Sequence, residues 1–458
     1  MPIHRVSVRL SWGLSLAALL VGGCGGDDEV ACDYVPCDIA EEACVRKVAE
    51  AVGCHLEREI LYPEVRRITV AEWVAELEAE AEPPSAEEAR AQADYYRMQG
   101  LLGLMPADYA PEDSNEDYVR NFAAFYSPDD QKITMISDSQ SVGLVGDYVT
   151  LVHEMVHAYQ DAAWDLRGLD EAHAYTYDRF LGLRAFVEGH AVLFQNFAYL
   201  EIDGVDPLKV DWDAYFGDWQ DDSLMAAFAS ETPALDTNAF FPYAFGGEFA
   251  LQGWQEDSVS GLDEVSGRPP DSVRQVMGGY AAWPDQRTNA DAAFDPRAVA
   301  VLPDEYLLLG GGHEGVWSLN ATLQRTAGGG LWSATLDEVS ADYLTAWRWH
   351  DDAVVAMWRV RSARPGELFD ALTGSGARWI AAAADVPTTH LIARVDDDVL
   401  LIAVSDGDAR TVLADIAGWQ SPDEAFPGQE MAGVRVPRPI ACGPFIRAGS
   451  RAALPAVR

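Results

Sequence analysis

The chain has 458 residues and sets 32 Lys+Arg against 74 Asp+Glu, a formal net charge of −42. Such an excess of acid repels a phosphate backbone and argues against nucleic acid as a partner. At 49% apolar residues the chain can fill a large core, so it is no disordered acidic tail, and its length favours more than one domain.

Residues 1–23 read as an export signal. Arg5 and Arg9 precede a short apolar run from Leu10 to Val21, too short for a relaxed membrane span. The run ends in Val21-Gly22-Gly23-Cys24, which resembles the lipobox of bacterial lipoproteins. That resemblance implies cleavage before Cys24, a diacylglycerol on its thiol, and an exported cell-envelope protein held at the outer membrane or cell surface. Four cysteines follow closely: Cys32, Cys37, Cys44 and Cys54. In an exported chain they are expected to form two disulfides, with all three pairings open. A structural zinc site is the rival reading, but the spacing lacks Cys-x-x-Cys knuckles. Cys442 has no assigned partner.

Further along, the pattern from Glu64 to Gly103 reads as helical. Pro83-Pro84 interrupt it, and Ser85 with Glu88 forms a capping box for the second half. A looser stretch leads to the turn Ser127-Pro128-Asp129-Asp130 and an alternating strand from Gln131 to Ile136. Asp147 then opens a strong helix to Trp164, and helical periodicity resumes from Glu171 to Leu200. Aromatic-rich segments broken by Gly and Pro continue to Gly279. Residues 300–415 alternate short apolar strands (VVAMWRV, THLIAR, DVLLIAVS) with helical pieces (GELFDALTG, ARTVLADIAGW), an α+β pattern. The tail beyond Gln420 is rich in Pro and Gly.

Chemistry concentrates in His153-Glu154-Met155-Val156-His157, an HExxH motif. On a helix the two histidines share one face, one turn apart, where two imidazoles can bind one Zn²⁺. Glu154 is rotated about 100° from His153. It can stand beside the ion without ligating and act as general base toward a water. A third ligand must come from another segment. Asp161 is excluded, because three ligands at i, i+4 and i+8 would span about 12 Å; a supporting or plain surface role is expected for it. The best candidate is Glu188, an ionisable group within the apolar stretch RFLGLRAFVEGHAVLFQNF. The alternative for Glu188 is a buried ion pair with Arg184, four residues earlier on the same face. Asp178, His173 and His190 are weaker rivals, and His190 should point away from the Glu188 face. Gly189 would let a neighbouring helix approach closely.

The segments LVHEMVHAYQDAAWDL and RAFVEGHA, followed by Phe241-Pro242-Tyr243-Ala244-Phe245-Gly246 and Arg268 to Gln275, resemble the HExxH…E (gluzincin-type) zinc metallopeptidases, closest to a group of exported lipoproteins. The likeness covers roughly residues 65–280 and continues weakly to about residue 375. It implies His153, His157 and Glu188 as zinc ligands and Glu154 as catalytic base. Tyr243 is then a candidate donor to the oxyanion, with packing of its ring as the other reading. The strand 131–136 would line the cleft as its edge and pair with an extended peptide. The expected fold is α+β: a signal at 1–23, a Cys-rich neck at 24–60, a mainly helical zincin-like domain at 61–285, an α+β region at 286–420 and an irregular tail at 421–458. The expected function is zinc-dependent hydrolysis of peptide bonds. A cell-envelope binding lipoprotein with a structural or inactive zinc site is the alternative. Oligomeric state is open.

Overall fold

Four cysteines and a capped amphipathic helix organise the first described segment. Glu42–His55 forms α1, and Cys32–Cys54 and Cys37–Cys44 pair in a nested arrangement across it. Two disulfides form as expected and place this segment in an oxidising, extracellular-type environment. The computed structural model describes residues 32–58, 60, 62–80, 85–102, 122–138, 143–173, 176–229, 233–285, 302–320, 338–350, 353–379, 389–416 and 424–427. The signal, Cys24, Pro83-Pro84, Cys442 and nearly all of the tail lie outside the described residues. Cys44, Val48 and Val52 of α1 are buried in the main hydrophobic core.

The helix expected from residue 64 begins later. Glu64–Ile68 is a strand, β1, which pairs in parallel with β3 (Lys132–Ile136), Val65 opposite Ile133 and Ile68 opposite Ile136. Two β-branched residues in five favour extension. Helix α2 (Val70–Glu80) starts only at a second capping box: the Thr69 hydroxyl accepts from the Glu72 backbone N–H at 3.1 Å, and the Glu72 carboxylate accepts from the Thr69 N–H at 2.7 Å. Helix α3 spans Ala86–Leu101, directly after Ser85. Strand β2 (Ala124–Ser127) returns antiparallel on β3 through the 128–131 turn. The sheet order is β1-β3-β2. The strand expected at the cleft edge is therefore the central one, hydrogen-bonded on both sides, and the open edge on this side is that of β2.

A helical layer follows, and its first helix packs against β2 and β3 of this sheet. The layer comprises α4 (Gly143–Trp164), α5 (Leu166–His173), α6 (Tyr177–Ile202), α7 (Trp212–Ala229), α8 (Pro233–Gly267) and α9 (Val273–Met277). Helix α4 begins four residues ahead of the expected Asp147. The aromatic-rich stretch that shows no clear period in sequence is largely α7 and α8. Helix α8 contains Pro242 and kinks at Asp257–Ser258, where Ser258 takes φ 52. Apolar nearly all round, α6 is buried along most of its length, as its sequence requires. Its Gly189 meets Gly246 of α8 backbone to backbone, and a Cβ on either glycine would collide with the facing main chain.

The C-terminal region is an antiparallel six-stranded sheet of order β4-β5-β6-β8-β7-β9. Its strands are β4 (Tyr306–Gly312), β5 (Val339–Trp349), β6 (Ala353–Ser362), β7 (Thr389–Val395), β8 (Asp398–Val404) and β9 (Glu424–Pro427). Helices α10 (Pro365–Trp379) and α11 (Ala409–Asp415) accompany it. Period-2 alternation sorts the strands between two cores. Val354, Ala356, Trp358 and Val360, with Val399, Leu401 and Ala403, join the main core shared with the helices. Val355 and Met357, with Leu400, Ile402 and Val404, pack with Val412 and Leu413 of α11. Buried polar bonds tie the two regions: Arg348 of β5 pairs with Asp94 of α3, and His390 Nε2 lies 2.8 Å from the Leu101 carbonyl. The architecture is thus α+β with two small sheets. Among the described residues no helix is long and apolar enough to cross a membrane.

Candidate metal centre

Helices α4 and α6 pack side by side, and their facing polar residues meet in the core. His153 and His157, one turn apart on α4, turn toward Glu188 of α6. Glu188 Oε2 lies 3.1 Å from His153 Nε2 and 3.4 Å from His157 Nε2, and the two Nε2 atoms are 3.0 Å apart. All three residues are buried, with Glu188 at 1% exposure and His157 the most accessible at 6%. They form the one group among the described residues whose donor atoms converge as a metal site requires.

The protons decide whether a cation fits. His157 Nδ1 is 2.7 Å from Gln160 Oε1 and His153 Nδ1 is 3.0 Å from Gln195 Oε1. Amide oxygens accept only, so each imidazole donates from Nδ1, and in its neutral form it turns a lone pair inward from Nε2. A carboxylate oxygen completes the trio. Three acceptors meeting in a buried space repel one another unless a cation lies between them, and two imidazoles with one carboxylate are an ordinary donor set for a divalent zinc ion. The residues therefore fit a metal.

Glu188 is placed for both roles that its sequence left open: it pairs with Arg184 and it faces the two histidines. Its Oε1 accepts from Arg184 on the same helix while Oε2 faces the histidines. Burial opposes its charge, yet the Arg184 guanidinium and the His157 imidazole hold its carboxyl well below the usual range. Glu154 is the contrast. It has no exposed surface, and neither carboxyl oxygen has a hydrogen-bond partner. Burial pushes it up to about 8, with nearby Glu188 adding to the rise and His157 and Arg184 working against it. The Tyr126 backbone amide on β2 eases that penalty without completing a hydrogen bond. A cation at the three acceptors would favour the ionised form.

Tyr243 of α8 reaches the site, its ring stacked 6.2 Å from that of His153. Asp161 accepts from the Tyr126 hydroxyl at 2.9 Å, so it pins β2 to α4 and does not hold a histidine. The rival ligands go elsewhere. Asp178 accepts from the Val273 N–H at the start of α9. His173 lies against the Leu169 carbonyl and near Asp271. His190 is buried behind the site, 3.1 Å from Gln160 Nε2, and burial drives it down to about 3. Gln160 and Gln195 were not singled out from sequence. The available signal for Gln160 was its place three residues beyond His157, on the same helix face.

Compared with protein-family models, with curated proteins and with solved structures, the chain finds no match in any of the three.

Proposed function

We propose that this protein is a zinc-dependent peptide hydrolase of the gluzincin type, exported and tethered through lipid on Cys24. One observation carries the reading: the Nε2 atoms of His153 and His157 and Oε2 of Glu188 converge within 3.4 Å of one another, beside a buried Glu154 carboxyl that has no hydrogen-bond partner. Zinc bound there supplies Lewis-acid polarisation of a water and of the scissile carbonyl. Glu154 takes a proton from the attacking water as its oxygen bonds to the carbonyl carbon. It then delivers that proton to the amide nitrogen as the C–N bond breaks, leaving a carboxylic acid and an amine, and the acid's proton passes to the amine. Tyr243, whose ring stacks beside His153, is the candidate to donate a hydrogen bond to the developing oxyanion. An extended peptide would pair with the open edge of β2, whose Tyr126 amide is turned toward Glu154.

Replacing Glu154 with Gln tests this directly. Cleavage of a peptide library should fall by at least about 10²-fold while one zinc per chain is retained. Undiminished cleavage would sink the mechanism. A second reading, an envelope binding protein with a structural or inactive zinc site, draws on the complete burial of Glu154. One zinc per chain with no cleavage of any peptide pool would favour it. A native preparation without metal would sink both.

A further inference from the structure

The metal ligands come from two helices, and two amides join them: Gln195 of α6 meets His153, and Gln160 of α4 reaches both His157 and the α6 backbone. Gln160 of α4 is fully buried. Its Nε2 donates to the Val187 carbonyl of α6 at 2.8 Å and lies 3.1 Å from His190 Nδ1, while its Oε1 lies 2.7 Å from His157 Nδ1. A backbone carbonyl only accepts, so the nitrogen end of the amide must face Val187 and the oxygen end must face His157. With its proton on Nε2, His190 accepts the second amide hydrogen at Nδ1. The His190 ring is itself fixed among aromatic neighbours: Trp164 stacks on it at 5.1 Å and Phe194 meets it edge-on at 5.3 Å. The amide therefore cannot turn over without losing both of its donor contacts.

We propose that Gln160 is the positioning residue of the metal centre. It fixes the tautomer and ring plane of His157, so that Nε2 is bare toward the ion, and His190 fixes Gln160. Because Val187 precedes Glu188, the same amide sets the separation between a ligand on α4 and a ligand on α6. The support is neutral: the histidines rest on the amide oxygens of Gln160 and Gln195, where a carboxylate is a common partner for a ligating histidine. This inference rests on the zinc reading above.

The test is zinc affinity, measured by chelator competition on the full chain, with circular dichroism to report folding. Gln160→Leu removes the acceptor and should weaken zinc binding about 10–100-fold. Gln160→Glu keeps an acceptor for the His157 Nδ1–H and should recover most of that loss. His157→Ala is the control for loss of a ligand. A folded Gln160→Leu protein that binds zinc within twofold of the parent overturns the proposal. If Gln160→Leu does not fold, Gln160→Glu decides. Folded with near-parental affinity it supports the proposal, and folded with affinity as poor as His157→Ala it overturns it. A parent chain that takes up no zinc defeats the zinc reading itself, and this inference with it.

Discussion

Glu188 and Glu154 lie on neighbouring helices, both buried, and their charges are handled in opposite ways. Glu188 is compensated by Arg184 and the histidines; Glu154 has no such partner and rises to about 8. A third acid, Glu314, follows the second pattern outside the metal centre. It touches solvent, but its carboxyl lies deep enough for burial, with Asp342 and Asp178 nearby, to push it up to about 8. The unfolded chain would release that proton near pH 4.3. Between about pH 4 and pH 8 the folded state holds a proton that the unfolded state gives up, so this group makes stability fall as pH rises. Glu314→Gln should therefore melt several degrees higher than the parent at pH 8 and at nearly the same temperature at pH 4. An equal gain at both values would show that the substitution acts through packing. At this scale the two histidines and Glu154 are legible in sequence, because i, i+4 spacing on an apolar helix is a strong pattern. Glu188 stood out as an acid in an apolar helix. Gln160 and Gln195 did not, since a neutral amide in a helix carries no charge or period to mark it. The Tyr126–Asp161 bond joins residues 35 apart, and only the fold brings them together.

At the scale of elements, the α6–α8 seam sets how closely the helix that carries Glu188 packs on α8. Gly189→Ala would force the helices apart at Gly246 and should cost about 1–3 kcal/mol in urea unfolding, with reduced zinc retention. Unchanged stability would mean the seam relaxes without effect on the site. Close approach was readable from Gly189 itself, but its partner was not, because the FPYAFGG segment shows no clear helical period and carries Pro242. Strands of the second sheet were legible as apolar runs. Strand β1 was not, since five residues with charges at Glu64, Arg66 and Arg67 look like part of the helix that follows. The Thr69–Glu72 box that separates them is a stronger local signal than the period. Thr69→Ala should cost about 1 kcal/mol, visible as a lower urea midpoint. The order β1-β3-β2 depends on a parallel pairing across more than sixty residues, which no local pattern encodes.

Over the whole molecule, a net charge of −42 sets the stability against salt. Raising NaCl from about 0.01 M to about 1 M shortens the screening length from about 30 Å to about 3 Å and should raise the melting temperature by relieving self-repulsion. A flat or falling response would mean that favourable ion pairs outweigh the repulsion. The helical part and the second sheet share one core, and the bonds that join them close very long loops. Arg348 meets Asp94 across 254 residues, and His390 meets Leu101 across 289. Closing such loops costs chain entropy before any contact repays it, so these contacts form late. A chain growing from its N-terminus thus cannot complete the seat of α3 until β7 has been made. Closure of the core on its α3 side therefore awaits most of the polypeptide, whatever the earlier helices have formed among themselves.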